Sequence, residues 1–217
     1  MVDWVSQEVL ALISPVLANH PPLVTWTARP SFCAIEYINY PTGPILEELP
    51  RAIHFRNYIE KAPVYDMEFA FNFDKTKLVE IITVVTKKVD DYKKYGQYPL
   101  NIAMEMRVMG HSGALLCPGI IGNTEYGGSG QVLFIEVLSV INTKQWTRFC
   151  TEVGLKWMKL GGIPHLAKQW DFLPNIEDYI YKSKKIQIDE FTKQLKESNA
   201  DPKGMFLNES IKRLLRL

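Results

Sequence analysis

A carboxylate and a guanidinium form the first pair of side chains whose types and spacing suggest chemistry. Glu105 and Arg107 lie two residues apart in YPLNIAMEMRVM (98–109), which alternates apolar and polar residues as a half-buried strand does. Such side chains leave one face of the strand, roughly 7 Å apart. The pair could orient a polyhydroxylated substrate and stabilise developing negative charge. The spacing also fits a solvated face with a cross-strand ion pair, worth about 1 kcal/mol at most.

A second candidate pair lies in GGIPHLAKQW (161–170), directly after two glycines. His165 and Lys168 are three residues apart, so both could lie on one face of a helical turn. Histidine and lysine are common on surface turns, and the spacing alone is therefore weak evidence for a site.

Other segments that suggest a site favour a structural interpretation. GNTEYGGSGQ (122–131) is rich in glycine but lacks the phosphate-loop lysine and precedes a strand, which favours a hairpin-like loop. His20, His54 and His111 show no metal-ligand spacing, and we predict no metal site. No nucleophile elbow or Cys/His signature supports acyl transfer. DPKGMFLN (201–208) is typical of an aspartate cap with proline at the first helical position.

Regular elements begin near residue 63 and would position the candidate residues. VYDMEFAFNF (64–73) alternates strictly and predicts a half-buried strand, with Asp66, Glu68 and Asn72 on its polar face. The other face carries only apolar and aromatic residues, namely Tyr65, Met67, Phe69, Phe71 and Phe73. Asp74 can cap a following helix that ends at Gly96.

The remaining elements complete the predicted fold. The strand at 98–109 has an apolar face of Leu100, Ile102, Met104, Met106 and Val108. A third strand at 132–141, VLFIEVLSVI, precedes a helix through Trp157 that Asn142 or Thr143 caps. Strand, helix, strand, strand, helix predicts an α+β fold of the split βαβ type, an antiparallel sheet with helices on one face. Past Gly161 the pattern predicts loops and short C-terminal helices.

The first 60 residues differ from the rest of the chain. Residues 3–18 predict a helix, and residues 21–50 carry six prolines with interspersed aromatic residues, as an ordered connector does. We therefore expect residues 1–60 to lead into one domain at 61–217.

Composition excludes several classes of protein. The 217 residues are 47% hydrophobic and 23% charged with a net charge of +1, which disfavours a nucleic-acid binder with a broad basic field. No apolar run approaches the ~20 residues of a membrane span, and the start lacks signal-peptide features. Cys33, Cys117 and Cys150 are isolated, as buried free thiols in a reducing compartment would be, so we expect a cytoplasmic protein.

Three motifs together resemble a known family. They are E-x-R at Glu105–Arg107, G-G-x-P-H-x-A-K at Gly161–Lys168 and D-P-x-G-x-F-x-N at Asp201–Asn208. In this order they resemble the sugar-1,4-lactone oxidases, the arabinono-, gulono- and galactonolactone enzymes of the vanillyl-alcohol-oxidase superfamily. Type II cholesterol oxidases share the broader architecture. The resemblance covers roughly residues 60–215 and also allows peripheral membrane association.

The resemblance implies an FAD-dependent oxidoreductase that oxidises a CH–OH group by hydride transfer. Glu105 would bind and orient substrate hydroxyls, and Arg107 would stabilise anionic character in the substrate or the reduced flavin. Lys168 would lie near the pyrimidine side of the flavin ring, with His165 beside it, so both are predicted cofactor-binding residues. Glu105, Arg107 and Lys168 are the predicted catalytic residues.

Two departures from the family pattern shape the expected function. Leu166 stands where lactone oxidases usually carry tryptophan, which leaves room for a more apolar, sterol-like alcohol. No segment before residue 60 resembles the family's FAD-binding loop. The chain is therefore expected to be the cap or substrate domain, with FAD supplied mainly by an N-terminal domain absent from it or by a separate FAD-binding subunit. A non-catalytic interaction domain that has lost its flavin partner is the other alternative.

Overall fold

The computed structural model of the chain describes residues 12, 14–27, 30, 63–119 and 130–217. Most of the predicted N-terminal helix, most of the proline-rich connector and most of the glycine-rich loop lie outside these residues, as do Cys33 and His54. Within the described part, residues 14–19 and 24–27 are helical, and the turn of 3-10 helix Pro21–Leu23 lies between them.

One four-stranded antiparallel sheet contains all the described strands. Its strands are β1 (Val64–Asn72), β2 (Ala103–Gly110), β3 (Gln131–Val140) and β4 (Ile163–Pro164). Helix α1 (Lys75–Lys93) connects β1 to β2, and α2 (Trp146–Lys159) connects β3 to β4. Three further helices follow, namely α3 (Ile176–Ser183), α4 (Lys185–Glu197) and α5 (Glu209–Leu215). The strand order β2–β3–β1–β4 is that of a split βαβ fold and confirms the predicted α+β class.

The chain divides into two compact units. The first unit comprises residues 1–66, 87–103 and 137–146. Its apolar core contains the buried residues Leu17, Val24 and Val140, with Ala18, Tyr98 and Ile102 packed against them. The second unit comprises residues 67–86, 104–136 and 147–217 and carries all the predicted site residues.

The buried Asn101 side chain organises the polar part of the first unit. Its Oδ1 accepts hydrogen bonds from Ser139 Oγ at 2.8 Å and from the Val140 backbone N–H at 2.9 Å. Its Nδ2 donates to Thr143 Oγ1 at 2.8 Å. Because a buried amide must find partners for both ends, these three bonds fix Asn101 beside the end of β3.

Aromatic packing on the apolar face of β1 forms the centre of the second unit. Phe69 lies 5.4 Å and Phe71 6.1 Å from Trp157 of α2, measured between ring centroids. Trp157 Nε1 donates to the Ile81 carbonyl of α1 at 3.1 Å, so both helices meet at this indole. A Cβ at Gly162 would lie 2.5 Å from the Phe71 ring, so only glycine permits this close approach. The predicted apolar face of β1 is therefore confirmed at its centre.

Strand β4 corrects the prediction that only loops and short helices follow Gly161. Ile163 and Pro164 pair antiparallel with β1, opposite Ala70 and Phe69. The pairing continues where the His165 N–H donates to the Glu68 carbonyl at 2.9 Å. A two-residue strand has no alternation that a sequence pattern could show, because its partner alone defines it.

The predicted burial of the apolar face of β2 is wrong. Met106 is 47% and Val108 44% exposed, because β2 is the edge strand of the sheet. The next strand in the order, β3, is buried on both faces along nearly its whole length. Alternation therefore located β2 but did not show which side of it is covered.

Capping side chains agree with the predictions at one helix and not at another. Asp74 caps α1, since its Oδ1 accepts from the Thr76 N–H at 2.8 Å. The predicted cap at Asp201 is wrong, because its carboxylate accepts from the N–H groups of Met205 and Phe206 and closes a non-helical loop. The cap of α5 is Asn208, whose Oδ1 accepts from the Ile211 N–H at 2.9 Å.

The two described cysteines and the described helices bear on the expected compartment. Cys150 is a buried free thiol, and its burial raises its pKa, while Cys117 is a partly buried free thiol. None of the helices in the described ranges combines the length and the apolar composition needed to cross a bilayer. The compartment itself stays a prediction.

Candidate active site

The second unit has an apolar patch on the face of the sheet that points away from Trp157. We call it the apolar patch; its residues are Ala70 of β1, Val132 and Phe134 of β3, and Ile163 of β4. Strand periodicity places Glu68 and Glu136 on this same face, beside Ala70 and Phe134. The face of β1 that the sequence predicted to be polar is therefore buried at its centre and carries charged groups.

Arg107 extends across this face from the edge strand. Its Nη2 donates to Glu68 Oε1 at 2.6 Å, and its Cζ lies 5.4 Å from the centre of the Phe134 ring. Because β3 lies between β2 and β1, the guanidinium passes over a β3 side chain to reach a β1 carboxylate. The Arg107 side chain is 52% exposed, whereas that of Glu68 is 1% exposed. A cation over an aromatic face and a charge-assisted hydrogen bond both stabilise this position.

The buried Glu68 carboxylate is the centre of the charged groups. Burial raises its pKa, and the nearby Glu136 adds to that rise, while the Arg107 and Lys168 cations oppose it. Its second oxygen, Oε2, accepts no hydrogen bond from the described residues and lies 3.8 Å from His165 Nε2. Burial and Glu136 therefore disfavour the ionised form of the Glu68 carboxyl, whereas the Arg107 guanidinium stabilises it.

A tight turn after β4 positions the other two predicted residues. The Lys168 N–H donates to the His165 carbonyl at 3.0 Å, and His165 Nδ1 accepts from the Ala167 N–H at 3.1 Å. A neutral imidazole that accepts at Nδ1 carries its proton on Nε2, the side that faces Glu68. Lys168 Nζ forms an ion pair with the buried Glu136 at 2.9 Å.

These five side chains form one charged cluster. It contains Glu68 of β1, Arg107 of β2, Glu136 of β3, and His165 and Lys168 of the turn after β4. The structure thus brings together three predicted site residues, Arg107, His165 and Lys168. Glu105 is exposed, two residues from Arg107 on the same side of β2, and its role stays a prediction.

Sequence reasoning missed both carboxylates of the charged cluster. Glu68 was assigned to a polar face because Asp66 and Asn72 share its periodicity. Glu136 interrupts the apolar run of β3, and a charge within such a run signals a buried ionic partner. The partner itself, Lys168, follows from the tertiary fold alone.

The fold and the charged cluster define an α+β domain of the split βαβ type with an ionic site on its sheet. The family model of D-arabinono-1,4-lactone oxidase matches residues 3–214, nearly the whole chain. The chain belongs to this family of oxidoreductases, which confirms the resemblance seen in the three motifs. No curated protein and no solved structure matches the chain.

Proposed function

We propose that this chain forms the substrate-side part of an FAD-dependent oxidoreductase that oxidises a CH–OH group of an aldono-1,4-lactone. Family membership supports the reaction class. The observation that carries the proposal is the Arg107 guanidinium, half exposed, held over Phe134 and paired with Glu68. Residues of two of the three family motifs, Arg107, His165 and Lys168, thereby pair with the two carboxylates of one sheet face.

The chemistry of the charged cluster suits a sugar lactone. A lactone presents a carbonyl and several hydroxyls, which need hydrogen-bond donors and acceptors arranged on one side. Arg107 keeps donors available because its hydrogen bond to Glu68 uses only Nη2, and Glu105 adds a carboxylate on the same strand face. Arg107 would bind the ring and carbonyl oxygens of the lactone, and Glu105 would orient the hydroxyls of the lactone.

Other residues of the charged cluster fit a flavin. FAD, when bound, supplies the group that accepts the hydride. Lys168 and His165 are partly exposed, and an ammonium held by Glu136 is suited to offset negative charge on a reduced ring. The FAD would be held mainly by a region outside the matched motifs or by a separate FAD-binding subunit.

The charged cluster also separates the two alternatives. An apolar, sterol-like alcohol would leave these ionic groups without hydrogen-bonding partners from the ligand, so Leu166 alone gives weak support for it. An interaction domain without a ligand would need no half-exposed guanidinium over an aromatic ring. An aldonolactone is therefore the ligand that the charged cluster supports best.

Calorimetric titration of the chain with D-arabinono-1,4-lactone and, separately, with cyclohexanol tests the proposal. We expect the wild-type chain to bind the lactone. Arg107→Leu should lower the affinity for the lactone by about tenfold or more, since a hydrogen bond to a charged group is lost. Arg148→Leu is the control, because Arg148 pairs with Glu152 on the exposed side of α2. Binding of cyclohexanol without the lactone would favour the apolar alcohol, and binding of neither would favour the interaction domain.

A further inference from the structure

We propose that Glu68 is a positioning residue whose carboxylate holds the Arg107 guanidinium over Phe134. The identity of the ligand that these groups meet rests on the proposed function. The positioning itself is a property of this chain and can be measured without a ligand.

Arg107 needs such a partner because of its place in the sheet. It lies on the edge strand β2, where its neighbours Met106 and Val108 are exposed, and its own side chain is half exposed. A long side chain at such a place samples many rotamers unless a fixed group holds its end. Strands two places apart are separated by roughly 10 Å, so only long side chains such as Glu68 and Arg107 can meet across β3.

Glu68 is itself fixed. Its side chain is 1% exposed, its strand is central in the sheet, and its backbone carbonyl accepts the His165 N–H. The carboxylate therefore starts from a central strand and reaches an exposed side chain on the edge strand. Groups that bind a substrate are held most accurately by a second residue on a rigid element.

The same carboxylate faces the His165 imidazole. His165 lies directly opposite Glu68 in the β1–β4 register, and its Nε2 lies 3.8 Å from Glu68 Oε2. The Ala167 N–H bond at Nδ1 fixes the ring from its other side. One buried group thus faces both Arg107 and His165.

Stability alone does not explain a carboxylate at this position. Glu68 lies beside the apolar patch, and its burial raises its pKa, which shows that the ionised form is poorly solvated there. Replacing a buried ion pair by an apolar residue of similar volume is often neutral or stabilising. Methionine would suit the site, because Arg107 remains half exposed to water when its partner is removed.

The test compares Glu68→Met with the wild-type chain by NMR of the Arg107 guanidinium N–H signals, assigned with Arg107→Leu. We expect a resolved signal with hindered guanidinium rotation in the wild type and a signal typical of exposed arginines in Glu68→Met. The thermal midpoint of Glu68→Met should stay equal or rise, and lactone affinity should fall by about tenfold or more. Asp66→Asn, which removes a carboxylate from the same strand, is the control and should change neither signal nor affinity.

Each result decides a separate point. An unchanged Arg107 signal in folded Glu68→Met overturns the positioning role. A changed Arg107 signal in a chain that binds no lactone supports that role while the proposed function fails. If Glu68→Met does not fold, Glu68→Ala, which also removes both acceptor oxygens, is measured instead, and hindered rotation equal to that of the wild type then overturns the proposal.

Discussion

Arg107→Leu is expected to lower the free energy of unfolding by about 3 kcal/mol at about pH 8, because it leaves the Glu68 carboxylate buried without its guanidinium. The Glu68 side chain is 1% exposed, and no hydrogen bond from the described residues reaches its other oxygen. Since half of Arg107 is in solvent, the value lies at the low end for a broken buried pair. Urea unfolding followed by circular dichroism measures the change.

The sign of the pH dependence follows from the raised pKa of Glu68. A carboxyl whose pKa is higher in the folded state binds its proton more tightly there, so its contribution to stability falls as pH rises through the folded pKa. Removing Arg107 raises the pKa of Glu68 further. The destabilisation in Arg107→Leu should therefore be greatest at high pH and shrink as the pH approaches the ordinary glutamate pKa of about 4.3.

Arg148→Leu is the matched control for this experiment. Arg148 is largely exposed and pairs with Glu152 one helical turn away, so its loss should cost less than about 1 kcal/mol at any pH. A loss in Arg107→Leu no larger than this, or one that does not change with pH, would contradict the buried pair.

Trp157→Ala is expected to lower the free energy of unfolding by about 3–5 kcal/mol, the usual cost of emptying a large aromatic site in a core. The side chain is fully buried, packs against Phe69 and Phe71, and donates from Nε1 to the Ile81 carbonyl. The substitution leaves a cavity where α1 and α2 meet the sheet and removes the hydrogen bond from the indole to the Ile81 carbonyl.

The control for Trp157→Ala is Trp26→Ala, because the Trp26 side chain is 79% exposed. Its removal should change the free energy of unfolding by less than about 1 kcal/mol. Similar losses in the two variants, measured by urea unfolding, would show that Trp157 is not central to the core.

Sequence periodicity was sufficient for most of the fold. The alternation of β1 and the helical spacing after Asp74 gave two elements whose centres agree with the structure, and β3 and α2 followed in the predicted order. Strand β4 could not be found this way, because its two residues are extended only through pairing with β1. The exposure of Met106 also depends on the position of β2 in the sheet and not on its own pattern.

Only part of the candidate site could be predicted from the sequence, because the rest depends on tertiary structure. Arg107, His165 and Lys168 belong to motifs that resemble those of the family, and this resemblance marked them as candidates. Of the two buried carboxylates, Glu136 had a local signal in the apolar run of β3 but no identifiable partner, and Glu68 became recognisable only when the sheet placed it beside the apolar patch. A local pattern gives the face of a strand, whereas the elements that cover the face come from distant parts of the chain.

The central claim is that the charged cluster binds a sugar lactone. The most direct test is a titration of the isotope-labelled chain with D-arabinono-1,4-lactone, followed by its backbone NMR signals. We expect the shifts to be largest at Arg107, Phe134, His165 and Lys168 and to disappear in Arg107→Leu. Shifts confined to other parts of the chain, or no shifts at any lactone concentration, would contradict the account.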